Sequence, residues 1–295
     1  MDKLLFELIS RSPLWAVLNR GLVLHLSMLH AYRAEAGGPR WEAAKPTVQG
    51  AGQNKLAIIP VQGVLTKDGP AYYGSNYDTI TKALESAAAD PAVKRVVLSV
   101  DSPGGEVTGL PETAAVLAQV AKVKPVSAMV EGTSASAAYW LTSQANDVTL
   151  TPSGEVGSVG VRMMHVDVSK MLDDMGYKVT ELYSGDFKTE WSPYKPLSEE
   201  AVSDMQPRLN AVHADFINAV AQGRGSRVSA EMSGARMGEG RMFSADHAVT
   251  HGLVDKVQAA TDFYKAIMPV QEPVNAAPLG GFNRRAMLEI ARQRV

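Results

Sequence analysis

The sequence predicts an α/β protein built on a layered, largely parallel sheet, and three observations carry that prediction. Short apolar runs at residues 56–61, 95–100 and 125–130 have the length and composition of buried strands. Segments of helical periodicity lie between them. Strand and helix alternate regularly, which requires right-handed crossovers and therefore parallel neighbours.

The elements follow in order. Leu56-Ala57-Ile58-Ile59-Pro60-Val61 reads as the first core strand, closed by Gly63. Residues 76–90 space Ile80, Leu84 and Ala87 for one helical face and stop at Asp90-Pro91. A strand at Arg95–Val100 runs into a Pro-Gly-Gly turn, followed by a helix near 109–122, a strand at 125–130 and a helix from about Ser136. Asp147–Thr151 is a further short strand, and Val161–Val168, which contains His165, is strand-like. Glu199–Gly223 places Val202, Met205, Leu209, Val212, Phe216, Ile217 and Val220 on one face of a long amphipathic helix.

The ends differ from this core. Residues 1–54 are expected to form an N-terminal amphipathic helix and a linker, because glycine and proline between 34 and 54 defeat any periodicity. Residues 55–262 form the expected catalytic unit. Residues 263–295 are expected to be a flexible tether rich in Pro, Ala and Gly, with a short basic helix at its end.

Composition narrows the functions available. The chain has 295 residues, 45% of them hydrophobic, which is enough for an enzyme-sized core. Its formal charge of -2 supplies no broad positive field for nucleic acid. It has no cysteine, hence no disulfide, thiolate metal site or thiol nucleophile, and its six histidines form no metal-ligand motif. No cofactor is expected. The longest uncharged N-terminal run, residues 21–32, still holds His25 and His30 and falls short of the roughly 20 apolar residues of a membrane span. No feature of the sequence determines a compartment, and the cytoplasm is the default expectation.

Two loops at expected strand ends attract chemical interest, since ligands in α/β sheets sit at the carboxyl ends of strands. In Asp101-Ser102-Pro103-Gly104-Gly105 the paired glycines fit either a tight turn or an oxyanion hole with backbone N–H donors. In Gly132-Thr133-Ser134-Ala135-Ser136-Ala137-Ala138, Ser136 opens a helix and is either an N-cap or a nucleophile beside helix-start N–H groups. A serine nucleophile needs a base. His165, His247 and His251 sit in segments that do not look built for that role. Lysine is the alternative, provided that its site is enclosed enough to keep the amine neutral. Lys188, in Tyr183-Ser184-Gly185-Asp186-Phe187-Lys188-Thr189-Glu190-Trp191, has the most apolar and aromatic surroundings, whereas Lys170, Lys178 and Lys195 look like solvated surface charges.

Asp101-Ser102-Pro103-Gly104-Gly105, Ala135-Ser136-Ala137-Ala138-Tyr139-Trp140, Gly157-Ser158-Val159-Gly160-Val161 and Ser184-Gly185-Asp186-Phe187-Lys188, in this order, resemble the protease IV (signal peptide peptidase A) family of serine peptidases. The likeness continues through Ser192–Ser198 and Gly240–Asp255, so it covers roughly residues 55–260. It implies a Clp/crotonase-type fold and a Ser-Lys dyad, with Ser136 as nucleophile and Lys188 as base. By the same resemblance, Gly105 and Ala137 supply oxyanion N–H groups, and Gly104 and Ser158 support the site. The family commonly has Gly-Gly after the serine, where this chain has Ala137-Ala138.

Such dyads are often completed between subunits, and one copy of the unit is present here, so a homo-oligomer acting on a polypeptide is expected. Without an N-terminal membrane helix, the resemblance points to the soluble branch that includes phage head-maturation proteases. That would place the protein in the host cytoplasm or the procapsid, with capsid or scaffold protein as substrate. A membrane-associated signal-peptide-degrading enzyme, an acyl-CoA enzyme on the same fold and a catalytically silent assembly scaffold are the competing readings.

Overall fold

The computed structural model describes residues 43–68, 74–228 and 237–268, together with the backbone of residues 14–17. In chain order the strands and helices are β1 (Leu14–Val17), β2 (Thr47–Ala51), β3 (Asn54–Leu65), α1 (Tyr77–Ala89), β4 (Val93–Glu106), α2 (Leu110–Val123), β5 (Val126–Ala135) and α3 (Ala137–Thr142). They continue with β6 (Asp147–Leu150), β7 (Glu155–Gly157), β8 (Arg162–Met163), α4 (Ser169–Asp174), α5 (Glu199–Arg224), β9 (Met242–Ser244), α6 (Ala245–Thr250), β10 (Lys256–Val257) and α7 (Ala260–Ile267).

The expected α/β architecture is present. Strands β3, β4, β5, β6 and β10 are parallel neighbours in one sheet. Alternation along β4 assigns its residues to two layers. Val96, Leu98 and Val100 join the large core formed with Ile80, Leu84 and Ala87 of α1 and Leu110, Ala114 and Leu117 of α2. Val97 turns to the other face and packs with Leu56, Met129 and Phe263 of α7. Each large apolar side chain buried in these layers is worth about 1.5–3 kcal/mol relative to exposure. The helix ends obey their local chemistry: Asn76 caps α1 through its side chain, accepting from Thr79 N–H at 2.8 Å, and Ser198 caps α5 by accepting from Ala201 N–H at 3.1 Å.

Several elements differ from expectation. The Pro-Gly-Gly segment is not a turn: β4 stays extended through it to Glu106, because β3 pairs alongside as far as Leu65↔Gly105. Part of the expected linker is a strand, β2, which folds back antiparallel on β3 around Gly52, where φ is +57°. The segment Leu14–Val17, assigned to an amphipathic helix, is a strand held by pairing on both sides; the rest of that helix lies outside the described residues. Of Val161–Val168 only Arg162–Met163 is strand. The folded unit runs to Ile267 rather than stopping at 262, since Phe263 is buried in the second core. The tether and basic helix of residues 269–295 lie outside the described residues.

The long helix α5 packs along only part of its length. Phe216 and Val220 are buried, while Val202 is 48% exposed and Met205, Leu209 and Val212 are half-buried. Its C-terminal half is anchored firmly: Phe216 stacks on Trp140 of α3 with ring centroids 4.8 Å apart, and Gln144 Nε2 donates to the Ala219 carbonyl.

Candidate active site

Ser136 stands at the junction of β5 and α3, the carboxyl end of a central parallel strand. Its backbone is at φ 53° and ψ -121°, a conformation that L-residues rarely adopt. Strain of this kind is worth roughly 1–3 kcal/mol and persists only where the surroundings impose it. Here they do: the Ser136 N–H donates to the Gly157 carbonyl at 2.8 Å, and its carbonyl accepts from Trp140 N–H at 2.9 Å. The side chains that follow, Ala137 to Thr142, are all buried, and Tyr139 Oη donates to the Leu253 carbonyl at 2.8 Å. Burial keeps that phenol protonated well above its ordinary pKa. The turn is thus wedged from both sides.

Ser136 is itself buried, and its Oγ donates to the Gly160 carbonyl at 3.3 Å. The Gly157–Gly160 loop therefore touches the serine twice, through the two glycine carbonyls. Ser158 lies between them, buried, with φ 54° and its N–H donating to the Arg241 carbonyl at 2.7 Å. Neither glycine carbonyl was singled out from the sequence. The signal was the Gly-Ser-Val-Gly run itself, whose paired glycines allow a close backbone approach.

The glycine pair of β4 comes to the same end of the sheet, since Ser102 pairs with Ser134, two residues before Ser136. Ser102 Oγ donates to the Gly63 carbonyl at 2.7 Å and accepts from Gly104 N–H at 3.2 Å. The Gly104 N–H is thereby engaged by the Ser102 hydroxyl. Gly105 lies so close to Leu65 that a Cβ on it would collide with the Leu65 carbonyl. Beyond it, Tyr77 Oη donates to the Glu106 carbonyl at 2.7 Å and pins the strand end; burial, then the nearby Glu106 charge, raises the tyrosine pKa well above its usual value. Ala137, the first residue of α3, has an N–H without an intrahelical partner.

Lys188 is placed differently. Its backbone N–H donates to the Gly185 carbonyl, and its side chain is exposed. Among the described residues no hydrogen bond joins it to Ser136, and its exposed side chain is not the enclosed lysine expected from the sequence. Around it Leu182 is 95% exposed, Phe187 64% and Tyr183 56%. Two of the histidines have contacts of their own: His165 Nε2 contacts the Ser192 carbonyl at 2.9 Å, with its ring edge-on to Trp191, and His251 packs edge-on to Phe243. Among the described residues no group of three or more His, Asp or Glu side chains is arranged to hold a metal ion, and no helix is long and apolar enough to cross a membrane.

Comparison with known proteins adds a family. The model of peptidase family S49 matches residues 118–272, just over half the chain. Capsid assembly protease C of Escherichia phage lambda is 32% identical over 213 residues, covering 71% of this chain and 48% of that protein. Protease 4 of Salmonella typhi is 30% identical over 220 residues, covering 74% of this chain and 34% of that protein. The chain thus spans half or less of the length of these two relatives. Among solved structures, an enoyl-CoA hydratase/isomerase family member superposes with a TM-score of 0.44 at 15% identity, over 85% of this chain and 78% of that one.

Proposed function

Because the chain belongs to peptidase family S49, we propose that it is a serine endopeptidase with a Ser136–Lys188 dyad, acting on capsid or scaffold polypeptides during phage head assembly. Ser136 Oγ attacks the peptide carbonyl while the unprotonated Lys188 amine takes its proton. The N–H groups of Gly105 and Ala137 receive the oxyanion, and water then releases the acyl-enzyme. The observation that carries this reading is the strained backbone of Ser136 at a strand-to-helix junction, an arrangement that holds out a nucleophile and that a plain N-cap does not need. Consistent with that distinction, no side-chain capping hydrogen bond is made by Ser136.

The exposed Lys188, set among exposed Leu182, Tyr183 and Phe187, supports a dyad completed in a homo-oligomer, where a second copy covers this segment and brings a lysine to each serine. The capsid role rests on the likeness to the lambda protease over 71% of this chain.

The test is mass spectrometry of casein, and of co-expressed capsid proteins, after exposure to wild-type, Ser136→Ala and Lys188→Ala protein. Each variant is expected to cut at least about a hundredfold more slowly. Cleavage by Ser136→Ala at the wild-type rate would overturn the assignment. A catalytically silent assembly component is the second reading. It is favoured by the buried Ala137-Ala138 pair, where the resemblance has glycines, and it predicts capsid binding with no product from any of the three proteins.

A further inference from the structure

Strand β4 has two edges, and they are treated differently along its length. One is paired with β3 to its end. The other is paired with β5 only as far as Ser102↔Ser134, because β5 then turns away at Ser136. Beyond that point the edge of Gly104, Gly105 and Glu106 pairs with a different segment, and the same segment pairs with Arg162–Met163, which follows directly on the Gly157–Gly160 loop. Open strand edges invite an extended peptide.

In this structure the peptide is the chain's own β1. Trp15, Ala16 and Val17 register antiparallel with Glu106, Gly105 and Gly104, and Leu14 and Trp15 register antiparallel with Met163 and Arg162. A four-residue extended segment thus bridges two strands. One of those strands follows directly on the Gly157–Gly160 loop that holds Ser136, and the other pairs with β5 at Ser102↔Ser134, two residues before that serine. This is recognition through the main chain by strand addition, which accepts many sequences.

We infer that Leu14–Val17 is a peptide-like occupant of the slot between Gly104–Glu106 and Arg162–Met163, competing with incoming polypeptide for it. The competition rests on Ser136 being the nucleophile beside that slot; the occupancy can be measured without catalysis. A chain whose slot is filled by its own segment binds another peptide only in the fraction of time the slot is free, so apparent affinity falls by that fraction.

The experiment uses full-length protein carrying Ser136→Ala, so that nothing is cut, with and without Ala16→Pro, which removes one ladder N–H and disfavours the strand. The probe is a fluorescein-labelled peptide of the sequence of residues 11–20. The expected result is about tenfold tighter binding to the Ala16→Pro protein, as follows if the segment fills the slot about nine-tenths of the time. Hydrogen exchange gives a second readout: the amides of Gly104–Glu106 and Arg162–Met163 should exchange faster in Ala16→Pro, regain protection when peptide is added, and leave α1 and α2 unchanged. Equal peptide affinity in the two proteins, or unchanged exchange at both strands, would overturn the inference. Failure of the Ser136 assignment would appear separately, as wild-type cleavage by Ser136→Ala.

Discussion

The Ser136 hydroxyl donates to the Gly160 carbonyl at 3.3 Å, so in the single chain this oxygen rests on backbone. The same serine bears a left-handed φ imposed by the Gly157 carbonyl on one side and α3 on the other. Replacing it therefore has a conformational consequence separable from chemistry. Ser136→Gly should be more stable than Ser136→Ala by about 1 kcal/mol, because glycine adopts this φ freely, less its own entropic penalty in the unfolded chain. Both variants should be inactive. Thermal unfolding of the pair checks it, and a Ser136→Ala protein as stable as Ser136→Gly would show that the turn holds no strain.

Gly105 has no room for a methyl group because the Leu65 carbonyl occupies the space where a Cβ would stand. Gly105→Ala must push β3 and β4 apart at their ends, at a destabilisation of about 1–3 kcal/mol. If its N–H also receives the oxyanion, kcat should fall about 10²–10³-fold as that donor moves. Chemical denaturation and casein turnover separate the two effects. A variant that lost stability but kept kcat would leave Gly105 a packing residue only.

A surface on which Leu182 is 95% exposed, beside Tyr183, Phe187 and the exposed Lys188, is poorly suited to water. Leu182→Lys is expected to weaken self-association in sedimentation and to reduce casein cleavage in parallel, with little change in the unfolding midpoint of the separated chain. Mixing inactive Ser136→Ala with inactive Lys188→Ala chains should restore part of the activity, since some sites would then combine an intact serine with an intact lysine. No recovery after verified subunit exchange would place both dyad members in one chain.

How far the sequence disclosed all this depended on the range of the interactions involved. The core strands and helices were legible because their signals are local: Ile80, Leu84 and Ala87 at helical spacing, Asn76 as a cap, and an apolar run from Leu56 to Val61. The Pro-Gly-Gly segment was misread as a turn because its extension is fixed by Leu65, some forty residues away in sequence. For the same reason β1 was assigned to a helix. Leu14–Val17 has no strong local preference, and its conformation comes from partners at Gly104–Glu106 and Arg162–Met163. Ser136 stood out through its small-residue surroundings, whereas its contacts with Gly157 and Gly160 belong to tertiary structure.

Arg224 is wholly buried, and its guanidinium grips Asp255 with two hydrogen bonds of 2.8 and 2.9 Å while Nε donates to the Gly252 carbonyl. Asp255 also accepts from Val148 N–H at 2.7 Å, which ties the end of α5 to β6 under the core. Burial pushes the Asp255 carboxyl up, but the Arg224 hydrogen bonds, the Val148 N–H and the Arg227 charge together hold it below the ordinary carboxylate value. The folded state thus binds fewer protons here than the unfolded state, so this contribution is fully present above the unfolded pKa of about 3.9 and fades as pH falls through the lower folded value. Asp255→Asn should destabilise the protein by about 3 kcal/mol at neutral pH, since it strands the Arg224 charge in the interior. The gap from wild type should narrow below about pH 4, where wild-type Asp255 begins to protonate on unfolding. Arg224→Met combined with Asp255→Leu should be less damaging than Asp255→Asn alone, because no buried charge then lacks its partner. Urea titrations of the three proteins at neutral and acid pH decide the matter, and a gap that stayed constant with pH would mean that Asp255 contributes by packing rather than by its charge.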